Sequence, residues 1–97
     1  MLPLAAIPIG DLLDAIEGGG MRPADLTFAA ERLGREPMDS RIELALRTMA
    51  RHPMAVVREG AALGMIEAAP LFDDVLRVMA AEDSSPGVRM VAGENRS

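Results

Sequence analysis

The sequence predicts an all-α protein of six helices, arranged as three antiparallel hairpins stacked side by side. Three observations carry that reading. Sixteen of the 97 residues are Ala and only 2% are aromatic, so the core must be built from small and aliphatic side chains that suit helices better than sheets. Gly and Pro cut the chain into pieces of helical length. The stretch PMAVVREGAALG at 53–64, which follows His52, returns in altered form as SSPGVRMVAG at 84–93, which follows Asp83, a displacement of 31 residues.

The pieces follow in order. In GDLLDAIEGGG, Asp11 is placed to cap, Leu12, Leu13 and Ile16 make a short apolar stripe, and Gly18 to Gly20 end the helix. In RPADLTFAAERLGRE, Pro23 suits a first helical turn, and Leu26, Ala29, Ala30 and Leu33 share a face. In DSRIELALRTMARH, Ser40 and Glu43 have capping-box spacing, Ile42, Ala45, Leu46, Met49 and Ala50 face inward, and Arg41, Glu43, Arg47 and Arg51 face water. His52 before Pro53 stops that helix.

The fourth piece runs from about Met54 to Ala68. Val57, Gly60, Ala61 and Gly64 lie on one face, and each Gly costs about 1 kcal/mol of helix propensity relative to Ala. Such a face makes sense where another helix backbone comes close. After Pro70, Phe72, Val75, Leu76 and Met79 form the stripe of a fifth helix. Ser85 as cap and Pro86 in the first turn open a sixth, with Val88, Val91 and Ala92 inward and a frayed ENRS tail.

Laid over one another at a spacing of 31, Leu26, Val57 and Val88 coincide, as do Ala30, Ala61 and Ala92. Arg58 coincides with Arg89, Leu13 with Leu44 and Val75, and Ala50 with Ala81. A fixed period of this size marks a stacked helical solenoid, in which no unit buries its apolar face alone. The hairpins are expected at about 10–35, 39–68 and 70–95, in one domain spanning 1–97.

The segment 83–92, with Asp83, Pro86, Val88, Arg89 and Ala92, resembles the D-x-x-P-x-V-R-x-x-A signature of HEAT and HEAT-like (PBS-lyase-type) repeats. HPMAVVREGAALG, at 52–64, resembles the same signature with His52 in place of Asp. The likeness is loose over 10–38, where Met21 replaces the Asp and Thr27 the Arg. The resemblance implies a short right-handed α-solenoid. It also implies a structural ladder in which the Arg of one repeat reaches the Asp of the next, here a single rung between Arg58 and Asp83.

Charge and composition narrow the function. The net charge is −5 and every basic residue is Arg, so general attraction to nucleic acid is opposed. Arg32, Arg35, Arg58 and Arg89 lie on or beside second helices, but Glu31, Glu59 and Glu94 interleave with them, and no Lys, Tyr or Trp is present to clamp or stack a base. With no Cys there is no thiolate metal site, disulfide or cysteine nucleophile, and a reducing, cytoplasmic setting suits the chain. MLPLAAIPIG is too short to span a bilayer and is broken by Pro3 and Pro8; it reads as a lead-in that covers apolar surface. His52, the only histidine, lies at a turn without a nucleophile beside it. Asp11, Asp14 and Glu17 read as a solvated face, and neither they nor Asp73 and Asp74 offer the converging ligands of a metal site.

The expectation is therefore a non-catalytic scaffold without cofactor or metal, which meets a protein partner on the exposed face of its second helices. Arg32, Arg35, Glu59, Ala62, Met65 and Met90 are the expected contact residues, Met65 and Met90 supplying adaptable apolar area. The open ends of so short a stack, left uncovered, would pair two chains into a homodimer. The alternative is an accessory nucleic-acid-binding or lyase-like protein of the same repeat family.

Overall fold

A computed structural model describes residues 6–94. The described residues form six helices and no strand: α1 (Ile9–Glu17), α2 (Pro23–Arg35), α3 (Ser40–Met49), α4 (Ala55–Glu67), α5 (Asp73–Glu82) and α6 (Pro86–Gly93). The first half of the apolar lead-in and nearly all of the ENRS tail lie outside the described residues.

The second helices build the centre. α2 and α4 make the most extensive contact in the molecule, and α4 also packs against α6. The sequence permits this through missing side chains. A Cβ on Gly34 would stand 2.0 Å from the Gly64 carbonyl oxygen, one on Gly64 would stand 2.2 Å from that of Ala30, and one on Gly60 would lie 2.7 Å from the Thr27 Cα. The two backbones therefore touch where the small-residue face predicts it. Ala30, Ala61 and Ala92 are all fully buried, as are Val57 and Val88, while Leu26, the first member of the valine series, is only half-buried against the core; the second helices keep the 31-residue register apart from that position.

The first helices keep a different one. Leu12, Ile42 and Phe72 are buried at a spacing of 30, as are Leu46 with Leu76 and Met49 with Met79. The expected equivalence of Leu13, Leu44 and Val75 fails: Leu13 is buried, while Leu44 is 66% exposed. Likewise Ala81 is exposed where Ala50 is buried, and Ala80 packs on the core instead. Turns between the helices absorb the residue of difference, so one period does not describe both layers.

Helix ends differ from expectation for local reasons. α1 begins at Ile9, before Asp11, because the Pro8 carbonyl already accepts from the Leu12 N–H at 3.0 Å. Asp39, one residue before Ser40, caps α3 by accepting from the Ile42 N–H at 2.8 Å, and this leaves Glu43 to pair with Arg47 at 3.0 Å. α3 closes at Met49, ahead of His52, through short-range bonds from Arg51 to Thr48 and from His52 to Met49. α5 starts at Asp73 after turns that bring Phe72 into the core. Pro23 and the Ser85–Pro86 start stand as the sequence has them.

Gly64→Ala should lower stability by about 2 kcal/mol, because the strain of forcing backbones apart outweighs the helix propensity gained. Gly10→Ala, with nothing within 4 Å of its Cβ position, should leave stability unchanged or slightly raised. Urea denaturation of both variants checks the contrast.

Candidate binding surface

Arg58 organises the end of the molecule where α3 and α5 finish. Its Nε and Nη2 donate to the two carboxylate oxygens of Asp83 at 3.0 and 3.1 Å, and its Nη1 donates to the His52 and Pro53 carbonyls at 2.9 and 3.0 Å. The two side chains retain only 13% and 9% of their exposure, so the pair is largely withdrawn from water. One guanidinium thus holds the turn after α3 against the turn after α5, and α3 and α5 end side by side. Burial alone would raise the Asp83 pKa. The Arg58 and Ser85 bonds outweigh it, and the carboxyl sits below its usual range.

The other units use the same places with different chemistry. His52 Nδ1 accepts from the Met54 N–H at 3.0 Å, as Asp83 Oδ1 accepts from that of Ser85 at 2.9 Å, so the imidazole fills the turn role of the carboxylate. Thr27, 31 residues before Arg58, donates its hydroxyl to the Val56 carbonyl at 3.0 Å and ties α2 to α4 through the backbone. Arg89 donates to the Asp83 carbonyl at 2.6 Å, as Arg58 does to that of His52.

Two further arginines join the first helices. Arg41 binds Glu17 at 2.8 Å and Asp14 at 2.6 Å, so two carboxylates expected to face only water are bridged from α1 to α3. The Arg41 hydrogen bond holds the Glu17 pKa below its ordinary value. Arg47 reaches Asp74 at 3.3 Å and lies 5.1 Å over the Phe72 ring, a cation–π contact joining α3 to α5. The Val75 N–H first, and Arg47 with it, keep the Asp74 pKa low.

Between these anchors the backbones of α3 and α5 hardly approach one another, and a groove of about 690 Å³ opens. Ala50, Val75 and Met79 line it, and Leu44 and Val78 stand along it 66% and 54% exposed. Arg51 on the α3 side and Glu82 on the α5 side border the same end.

The expected second-helix residues are only partly open to a partner. Ala62 and Met65 are fully buried, so neither reaches a partner; α4 lies between α2 and α6 with α3 packed against it, and little of it is open. Arg32 is mostly covered, donating to the Ile7 carbonyl and lying 3.7 Å from Glu36. Glu59 is half-buried, with its carboxylate over Gly87 in the first turn of α6. Arg35 is exposed but lies 3.5 Å from Glu31, and Met90 is 66% exposed on α6. Of the expected contact residues, Arg35 and Met90 stay at the surface, on non-neighbouring helices; the second helices also expose Phe28 and Val56 and form a hollow of about 380 Å³ bordered by Glu31, Leu63, Ile66, Glu67 and Glu94. Sequence reading placed Val75 in the buried stripe and matched Leu44 to it, and left Val78 unassigned; the adjacent apolar residues at 44–46, 75–76 and 78–79 are the signal that each helix is apolar on more than one side.

Among the described residues, no helix is long and apolar enough to cross a membrane, and no three potential metal ligands cluster. Comparison of the chain with protein-family models, curated proteins and solved structures finds no match.

Asp83→Ala should cost about 3 kcal/mol at pH 7, the low end for a stranded buried partner, because Arg58 keeps its two carbonyl acceptors. The Asp83 pKa is lowered in the folded state, so its stabilisation is complete above the unfolded value of about 3.9 and is lost as pH falls through the folded one. Urea denaturation across that range should show the gap between wild type and variant narrowing.

Proposed function

We propose that the chain is a non-catalytic helical-repeat module, of HEAT-like character, that binds a protein partner in the groove between its first helices. The observation that carries this reading is the groove itself. It places exposed Leu44 and Val78 along an apolar lining of Ala50, Val75 and Met79, between helices whose ends are fixed by Arg47 and Arg58. A rigid frame around exposed apolar side chains suits recognition, because little ordering cost remains for binding. The Arg58–Asp83 rung and the equivalent burial of Ala30, Ala61 and Ala92 support the repeat assignment.

The four arginines on or beside the second helices are engaged within the molecule. Arg58 holds Asp83, Arg89 binds the Asp83 carbonyl, Arg35 lies beside Glu31, and Arg32 binds the Ile7 carbonyl. This favours protein over phosphate backbone as the partner.

A photo-crosslinking residue at Val78 should capture a discrete protein, whereas the same residue at exposed Glu67, outside the groove, should not. Val78→Asp should weaken that association by about ten-fold or more and change stability by less than about 0.5 kcal/mol, since the side chain is exposed. Equal capture at both positions would contradict the proposal.

A further inference from the structure

The reading of the groove as a protein-binding surface leaves the partner open, and the charges along its border narrow the choice. Arg51 and Glu82 line the same end of the groove on opposite sides. They are the same end because the Arg58 guanidinium holds both the residues after α3 and Asp83 after α5. Both side chains are exposed, and neither has an ion-pair partner among the described residues. Further along, Arg47 and Asp74 repeat the polarity, positive on α3 and negative on α5. The groove therefore has a basic side and an acidic side with an apolar strip between.

A surface of that kind is complementary to itself. Rotation by 180° about an axis along the groove lays α3 of one copy over α5 of the other, with the helices running the same way. Arg51 of each copy then meets Glu82 of the other, and the pair occurs twice by symmetry. Leu44, Val75 and Val78 of both copies project into the centre, as core residues do in a four-helix bundle. A twofold axis across the groove would bring α3 against α3 and leave both charges unmatched. Charge thus selects one of the two in-plane symmetric arrangements.

We infer that the partner seated in this groove is a second copy of the chain, in a parallel twofold dimer whose α3 and α5 helices form a four-helix layer closed by reciprocal Arg51–Glu82 pairs. The inference rests on the groove being a binding surface. It differs from pairing through the open ends of the stack, because the contact lies along the side formed by the first helices.

Sedimentation equilibrium of the purified chain over a concentration series is the test. Wild type should pass from 10.3 kDa to twice that mass as concentration rises. Arg51→Glu and Glu82→Arg should each weaken the dimer about ten-fold, since each turns two attractive contacts into repulsive ones. The double variant should dimerise as wild type does. An equimolar mixture of the two single variants should also dimerise more tightly than either alone, because only the mixed pair matches every charge. Circular dichroism should show all variants folded. A chain monomeric at every soluble concentration, or a dimer indifferent to both single substitutions, overturns the inference. If a Val78 crosslink captures a different protein while the chain stays monomeric, the second copy is wrong and the groove reading survives. If the chain is monomeric and Val78 captures nothing, both fail.

Discussion

The close approach of α2 and α4 is the constraint from which the rest of the structure follows. Gly34, Gly60 and Gly64 remove the side chains that would hold two helix backbones apart, and the Ala30 and Gly64 carbonyls occupy the space. Gly60 and Gly64, inside α4, sacrifice roughly 1 kcal/mol each of intrinsic helix stability, while Gly34 lies in the last turn of α2. Close packing returns that through dispersion contacts along both helices and through fully buried Ala30, Ala61 and Val57. Neither helix makes sense alone. α4 in particular carries apolar or small residues over most of its circumference, as a helix with neighbours on several sides must.

That centre determines where a partner can bind. With α4 enclosed by α2, α3 and α6, Ala62 and Met65 serve the core, and the large apolar side chains that the second helices leave exposed, Phe28, Val56 and Met90, fall one on each helix. The first helices are spaced more widely, because α3 and α5 meet through long side chains such as Arg47 and Phe72 and not through their backbones. Wider spacing leaves Leu44 and Val78 uncovered. A dense layer beside an open one is the geometric origin of the groove, and the arginine anchors at its ends keep it open without unpaired buried charge.

Much of this was legible in the letters. The 3,4 spacing of apolar residues, the Pro23 and Ser85–Pro86 starts, and the glycine face of α4 report local geometry, which depends on neighbours in sequence. The 31-residue spacing located five buried second-helix positions, Ala30, Ala61, Ala92, Val57 and Val88, and the resemblance to a repeat signature pointed to Arg58 and Asp83. The layers' different registers were not legible, since a difference of one residue is absorbed by turns whose lengths carry no signal of their own. Nor was the binding surface. Met65 and Leu44 are both apolar residues on amphipathic helices, and only the packing of the neighbouring helix decides that one is enclosed and the other exposed. The Arg41 bridge to Asp14 and Glu17 was hidden for the same reason, because ion pairs across helices need the helices placed first.

Amide hydrogen exchange of the native chain tests the central claim most directly. If the glycine-lined contact holds the molecule together, the slowest amides should belong to the middle of α2 and of α4 and should open together, with α1 and the ends of α6 exchanging well before them. Protection concentrated in α5 and α6, with α2 and α4 exchanging early or independently of each other, would contradict it.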